Sequence, residues 1–180
     1  INRYVAVIRS ILRAACYEWD WIDKPPKCRM RQEPRKRVRF LTRFEAERVV
    51  RELPEHLAEM ARFSFSTGLR MNNVVRLSWP QVNVQKRIAW INPEESKSGK
   101  AIGVPLNSEA MSVLRRQIGK HHEAVFTFRG VPVTRASTHA WYKALKRAGV
   151  EDFRWHDWRH TWASWLAQEG VPLSVLQELG

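Results

Sequence analysis

Apolar side chains recur along this chain at the spacing of helix faces far more often than in the alternation of strands. In residues 1–21, Val5, Ile8, Leu12, Ala15, Cys16 and Trp19 fall on one stripe, with Arg3, Arg9 and Arg13 elsewhere around it, which predicts an amphipathic helix. The stripe has nothing near it in sequence to pack on, so residues 1–22 are expected to belong to a domain mostly outside this chain. Residues 23–40 differ in character: Pro25, Pro26 and Pro34 stand among Lys24, Lys27, Arg29, Arg31, Arg35, Lys36, Arg37 and Arg39. Prolines forbid a regular helix and like charges keep a chain extended, so this stretch reads as a basic linker.

A second domain, 41–180, opens where Thr42 and Glu45 match a capping box before a helix. Pro54 restarts a helix through Leu57, Met60, Ala61 and Phe65, and Gly68 ends it. A short helix through Val74 and Leu77 leads to a turn at Trp79, Pro80 and Gln81. Residues 87–91 and 101–105 read as strands joined by the polar loop 94–100, and residues 125–128 suggest a third strand turning at Arg129 and Gly130. Asn107 or Ser108 caps a helix with Ala110, Val113, Leu114 and Ile118 on one face. Trp141, Ala144, Leu145 and Ala148 stripe another, ended by Gly149. A long helix runs from near His156 to Gly170, and Pro172 starts one more. The expected class is α+β: a mainly helical domain with a small three-stranded antiparallel sheet.

Composition changes this picture mainly through charge. Thirty-one Lys and Arg against eighteen Asp and Glu give a net charge of +13, which points to a polyanionic partner, with nucleic acid ahead of acidic proteins or membrane surfaces. The run containing Arg35, Lys36 and Arg37 then reads as a strap that crosses DNA. No apolar run approaches the roughly 20 residues of a membrane span, and no signal-peptide pattern opens the chain. Cys16 and Cys28 are too few for a disulfide framework and read as reduced thiols.

Three places can carry chemistry. Arg70 stands just before a helix start, where its guanidinium and free backbone N–H groups suit a phosphate oxygen. Taken alone it reads more readily as a surface arginine near a helix end. Lys97 sits in a loop of small polar residues from which a long cation can swing into a neighbouring groove. In residues 155–160, His156 and Arg159 share a helix face at i and i+3. His156 and His160 also have the two-histidine spacing of helical zinc hydrolases, but Asp157 stands where those carry Glu and Arg159 would lie beside the metal.

Taken together and in order, these places resemble the tyrosine recombinase (phage-type integrase) family over residues 41–180. The resemblance rests on Thr67, Gly68, Leu69 and Arg70, on Leu77, Ser78 and Trp79, and on Ser96, Lys97, Gly99 and Lys100 followed by Val104, Pro105 and Leu106. His156, Arg159 and His160, and Gln177 through Gly180, complete it. The helix of residues 1–21 is similar to the last helix of the family's DNA-holding domain. What the resemblance implies is site-specific recombination of double-stranded DNA by transesterification without metal, nucleotide or other cofactor, through a 3′-phosphotyrosyl intermediate. It implies Arg70, Lys97, His156 and Arg159 as catalytic residues and Lys100, with the basic strap, as DNA-binding. It places the nucleophilic tyrosine beyond Gly180, since Tyr4, Tyr17 and Tyr142 do not occupy its position, and so expects no activity of this chain by itself. It also implies a tetramer on two duplexes for the complete protein, with this chain expected alone as a monomer, and the cytoplasm of a bacterial host. Asn73 and Gln81 stand where many members carry an acidic residue. The rival readings are a DNA-binding module without catalysis and a zinc hydrolase.

Overall fold

The structure is a computed structural model that describes residues 1–32, 39–96 and 99–179, with 178 and 179 as backbone only. It divides into two units, Ile1–Arg37 and Val38–Gly180. In the first, α1 (Asn2–Tyr17) buries only Ala15 and Cys16, and leaves Ile8 and Ile11 about half exposed. The helix stops before Trp19, whose ring packs instead on Trp21 with centroids 4.7 Å apart. The basic stretch that follows is less free than its charge suggests. Cys16 Sγ donates to the Asp23 carbonyl at 3.5 Å, and the Asn2 side-chain amide meets the Arg31 backbone twice at 2.9 Å, so residues 23–31 double back along α1. Arg35, Lys36 and Arg37 lie outside the described residues.

The second unit begins with α2 (Arg43–Glu52). Both halves of the expected capping box form: Glu45 N–H donates to Thr42 Oγ1 at 3.2 Å and Thr42 N–H to Glu45 Oε2 at 2.8 Å. Pro54 precedes α3 (Glu55–Thr67), which Gly68 ends in a left-handed conformation at φ +68°. Then come α4 (Met71–Val75), β1 (Val82–Asn83), β2 (Ile88–Ile91) and β3 (Ile102–Pro105). These strands form an antiparallel sheet in that order, with Ala89 opposite both Val82 and Val104. Asn107 caps α5 (Ser108–Gln117), and β4 (Thr127–Phe128) pairs with β5 (Val131–Pro132). The chain continues through α6 (His139–Arg147), α7 (Asp157–Gln168) and α8 (Leu173–Leu179).

The class is as expected, but the third strand of the sheet is Val82–Asn83 and not residues 125–128. The turn at Trp79–Gln81 feeds Val82 straight back beside Ala89. Meanwhile Glu123 and Val125 are held to the 77–79 segment: Trp79 N–H donates to Glu123 O at 2.8 Å and Val125 N–H to Leu77 O at 2.9 Å. Val125 and Phe126 are buried there, and only Thr127–Phe128 is left to form a separate hairpin. Ile118 also departs from its expected place: α5 ends at Gln117 and Ile118 is 60% exposed.

The core gathers around α3, whose Leu57, Met60, Ala61 and Phe63 have no exposed surface. Helix α7 docks on it through tryptophans spaced along one face. Phe65 of α3 packs against Trp158 and Trp165 with ring centroids 5.3 and 5.4 Å away. The start of the unit is fastened to the same helix: Leu41 N–H donates to Thr161 Oγ1 at 3.1 Å, and Trp165 Nε1 donates to Leu41 O at 2.9 Å. Both Leu41 and Thr161 are fully buried. Thr161→Val keeps shape but strands a buried N–H, so it should cost about 1–3 kcal/mol, lowering the thermal midpoint by roughly 2–4 °C per kcal/mol. Thr161→Ser should melt near the parent, and equal melting of the valine variant would deny the clasp any stabilising role.

Candidate active site

The site starts from one glycine. A Cβ at Gly68 would lie 2.4 Å from the ring of Trp162, so α7 can approach the end of α3 only because no side chain is there. One turn before Trp162, Arg159 Nη1 donates to the Gly68 carbonyl at 2.6 Å. Two residues after Gly68, the half-buried Arg70 caps α4 in extended conformation. The contact that seats α7 therefore also brings Arg159 near Arg70. Burial first, and then the Arg70 charge, push the Arg159 guanidinium below its usual pKa.

His156 reaches the same place through alternation. Phe153, Trp155 and Asp157 are buried, while Arg154 and His156 between them face outward. Arg154 N–H donates to Asp157 Oδ2 at 2.9 Å, which fixes this entry into α7. Behind it, Trp141 packs on Trp155 and Trp158 at 4.8 and 6.1 Å, and Phe153 meets Trp158 edge-on at 4.9 Å. The His156 pKa is lowered, chiefly by partial burial, then by His160 and Arg159, with Arg70 adding to them and Asp157 opposing. The His160 ring stands edge-on to His156 at 5.2 Å. Among the described residues, no three His, Cys, Asp or Glu side chains gather as a metal site would need.

Arg70 and His156 line a cleft of about 590 Å3, together with residues 71–73 and 94–96, Ser137, Tyr142, Arg154 and Trp155. Lys97 lies outside the described residues, but the turn leading to it is well anchored. Asn73 Nδ2 donates to Glu95 O at 3.0 Å, and Gln81 Nε2 donates to Glu95 Oε2 at 2.6 Å. Gln81 Oε1 in turn accepts from Ser78 N–H and Oγ, each at 3.0 Å. The two amides that stand in place of acidic residues thus both donate to Glu95, Asn73 to its backbone carbonyl and Gln81 to its carboxylate, and Asn73 ties the approach to Lys97 to the helix that follows Arg70. Lys100 is exposed, on the side of the loop that enters β3. Arg154 and Tyr142, both in the cleft, were not among the site residues expected from sequence; the outward phase shared by Arg154 and His156 could have found the first.

The fold and this arrangement define a DNA breaking-and-rejoining type of catalytic domain, and the chain belongs to the phage integrase family, which it matches over residues 39–180. It is 48% identical to the integrase of Salmonella phage P22, over 98% of this chain and 49% of that protein. The chain therefore spans about half the length of that relative. Among solved structures, the Tn1549 transposon integrase in complex with a circular intermediate DNA superposes with a TM-score of 0.83 at 16% identity, covering 99% of this chain and 69% of that one. A lambda integrase dimer bound to a COC′ core site superposes with a TM-score of 0.71 at 18% identity, covering 99% and 70%. These structural likenesses bear on the fold.

The electrostatics give a titration that can be checked. His156 should titrate by NMR below the usual histidine value of about 6.5. Arg159→Gln should move it part of the way back up, because one repelling charge is removed while burial remains. A His156 pKa at or above the usual value in the parent would contradict this arrangement of charges.

Proposed function

We propose that the complete protein carries out site-specific recombination of double-stranded DNA by transesterification at a phosphodiester, without metal or nucleotide. The observation that most supports this reading is the approach of His156 and Arg159, at the start of α7, to Arg70, after the end of α3, beside a solvent-open cleft that Arg70 and His156 line. Their charges depress the pKa values of His156 and Arg159. Like charge gathered this closely favours an anion beside it, and a phosphodiester is the anion that two guanidiniums fit best.

In this mechanism Arg70 and Arg159 hold the non-bridging oxygens and offset the charge that grows there in the transition state. A tyrosine hydroxyl, expected after Gly180 from the resemblance, attacks phosphorus, and His156 takes up its proton. The lowered pKa of His156 favours the neutral imidazole that this step needs. The bond from phosphorus to the 5′-oxygen breaks, and Lys97 delivers a proton to that oxygen. Attack by the 5′-hydroxyl of another strand reverses the step and completes the exchange. In the same reading, residues 41–180 are the catalytic domain up to that tyrosine, and α1 closes the preceding DNA-holding domain. Arg35, Lys36, Arg37 and Lys100 contact the DNA backbone. The complete protein works as a tetramer on two duplexes in the cytoplasm of a bacterial host.

The roles of the cations separate in a leaving-group experiment on the complete protein. Lys97→Ala should slow cleavage by roughly 10²–10⁴-fold, the range for a lost proton transfer. A substrate with sulfur in place of the bridging 5′-oxygen needs little protonation and should rescue that variant. Arg159→Ala should stay defective on it, because a better leaving group does not restore stabilisation of the non-bridging oxygens. Equal rescue of both variants would remove Lys97 as the acid. If no covalent adduct forms on any cleavable substrate, the reading becomes that of a non-catalytic DNA-binding module.

A further inference from the structure

The cleft holds a cation that the chemistry above leaves unused. Arg154 is exposed, yet its direction is set: buried Phe153 and Trp155 flank it, and its backbone N–H is pinned to Asp157 Oδ2 at 2.9 Å. Ion pairs among the described residues engage Arg43, Arg62, Arg116 and Arg147 with glutamates and leave Arg154 out. Beside it stands Tyr142 of α6, 58% exposed. Arg154 and Tyr142 line the cleft of Arg70 and His156, and they also line a second hollow of about 380 Å3 that includes Lys146, Glu151 and Asp152. The two depressions thus adjoin, with these side chains at their common edge.

Charge across the two hollows is uneven. The cationic lining of the cleft is Arg70 and Arg154, with the His156 imidazole beside them and Glu94 and Glu95 contributed by the turn before Lys97. Beyond Arg154, Lys146 is offset by Glu151 and Asp152. A polyanionic strand with one phosphate at Arg70 is repelled from the 94–95 turn and finds its next cation at Arg154. An arginine offers a planar fork of donors to that phosphate. A half-exposed tyrosine beside it offers an apolar ring and one hydroxyl, a match for a sugar.

We infer that Arg154 and Tyr142 form a second phosphate seat, in which Arg154 holds the phosphate next to the scissile one on the same DNA strand and Tyr142 packs against the sugar between them. The seat rests on the recombinase reading for the identity of the first phosphate. It adds a DNA-binding residue that positions the strand and takes no part in proton transfer.

The test uses the complete protein on duplex DNA carrying its recombination site. Affinity is measured against salt concentration, and then on duplexes in which single phosphates are neutralised one at a time as methylphosphonates. Arg154→Ala should make the log–log salt slope shallower by about 0.9, the release expected for one phosphate contact, whereas Arg154→Lys should keep the parent slope. On the methylphosphonate series the parent should lose affinity at two adjacent positions, and Arg154→Ala should become insensitive at one of them. Tyr142→Ala should weaken binding with an unchanged slope, since no charge is lost. Parent binding with an unaltered slope and an unaltered methylphosphonate pattern in Arg154→Ala would overturn the second seat and leave the recombinase reading standing. A parent that does not bind duplex DNA at low salt would overturn both.

Discussion

The docking of α7 on the bare backbone of Gly68 is the constraint on which the site depends. Trp162 occupies the volume a side chain would need, and Trp158 and Trp165 pack on Phe65 to either side. Helix α7 can rotate or slide only by breaking this aromatic seam, so the direction of Arg159 is set by core packing and not by the flexible arginine alone. The bond from Arg159 to Gly68 O then uses a carbonyl left open at the end of α3, where helical partners run out. One junction thereby ends a helix, seats another and aims a guanidinium.

Like charges gathered this way oppose folding, and the surroundings show how that opposition is met. Asp157 is buried beneath His156 and raises its pKa against the neighbouring cations, while its carboxylate also holds the Arg154 backbone. Glu95 is tied by two amides at the mouth of the cleft. Carboxylates therefore brace the frame from behind and from the side. An acidic residue in place of Gln81 would have set a negative group against the Glu95 carboxylate, so the amide at 81 and the acid on the turn belong to one arrangement.

Much of the fold was legible because local rules and tertiary packing agreed. The Thr42–Glu45 box, the Pro54 restart, the Gly68 stop and the Asn107 cap all depend on neighbours within a few residues, and all formed. The third strand was misread because residues 125–128 look like a strand by composition, whereas their partner depends on a distant turn at 77–79 that no local pattern reveals. The site was legible as an ordered set of motifs, and the structure brings Arg70, His156 and Arg159 to one place. Arg154 and Tyr142 escaped notice because each looks like an ordinary surface residue until the cleft places them side by side. Lys97, Arg35, Lys36 and Arg37 stand outside the described residues, so their part of the reading remains one of sequence.

The backbone of Leu41, held at its N–H by Thr161 and at its carbonyl by Trp165, is where the chain enters the second unit. Both anchors belong to α7, on the two turns that follow Arg159. A pull arriving along the chain from upstream is consequently borne by this helix, not dissipated in a loose terminus. The joint behaves as a hinge pin set into the catalytic helix. Strain entering at Leu41 therefore falls on the same helix that carries His156 and Arg159, so the chain's entry into this unit and the aim of those side chains share one support.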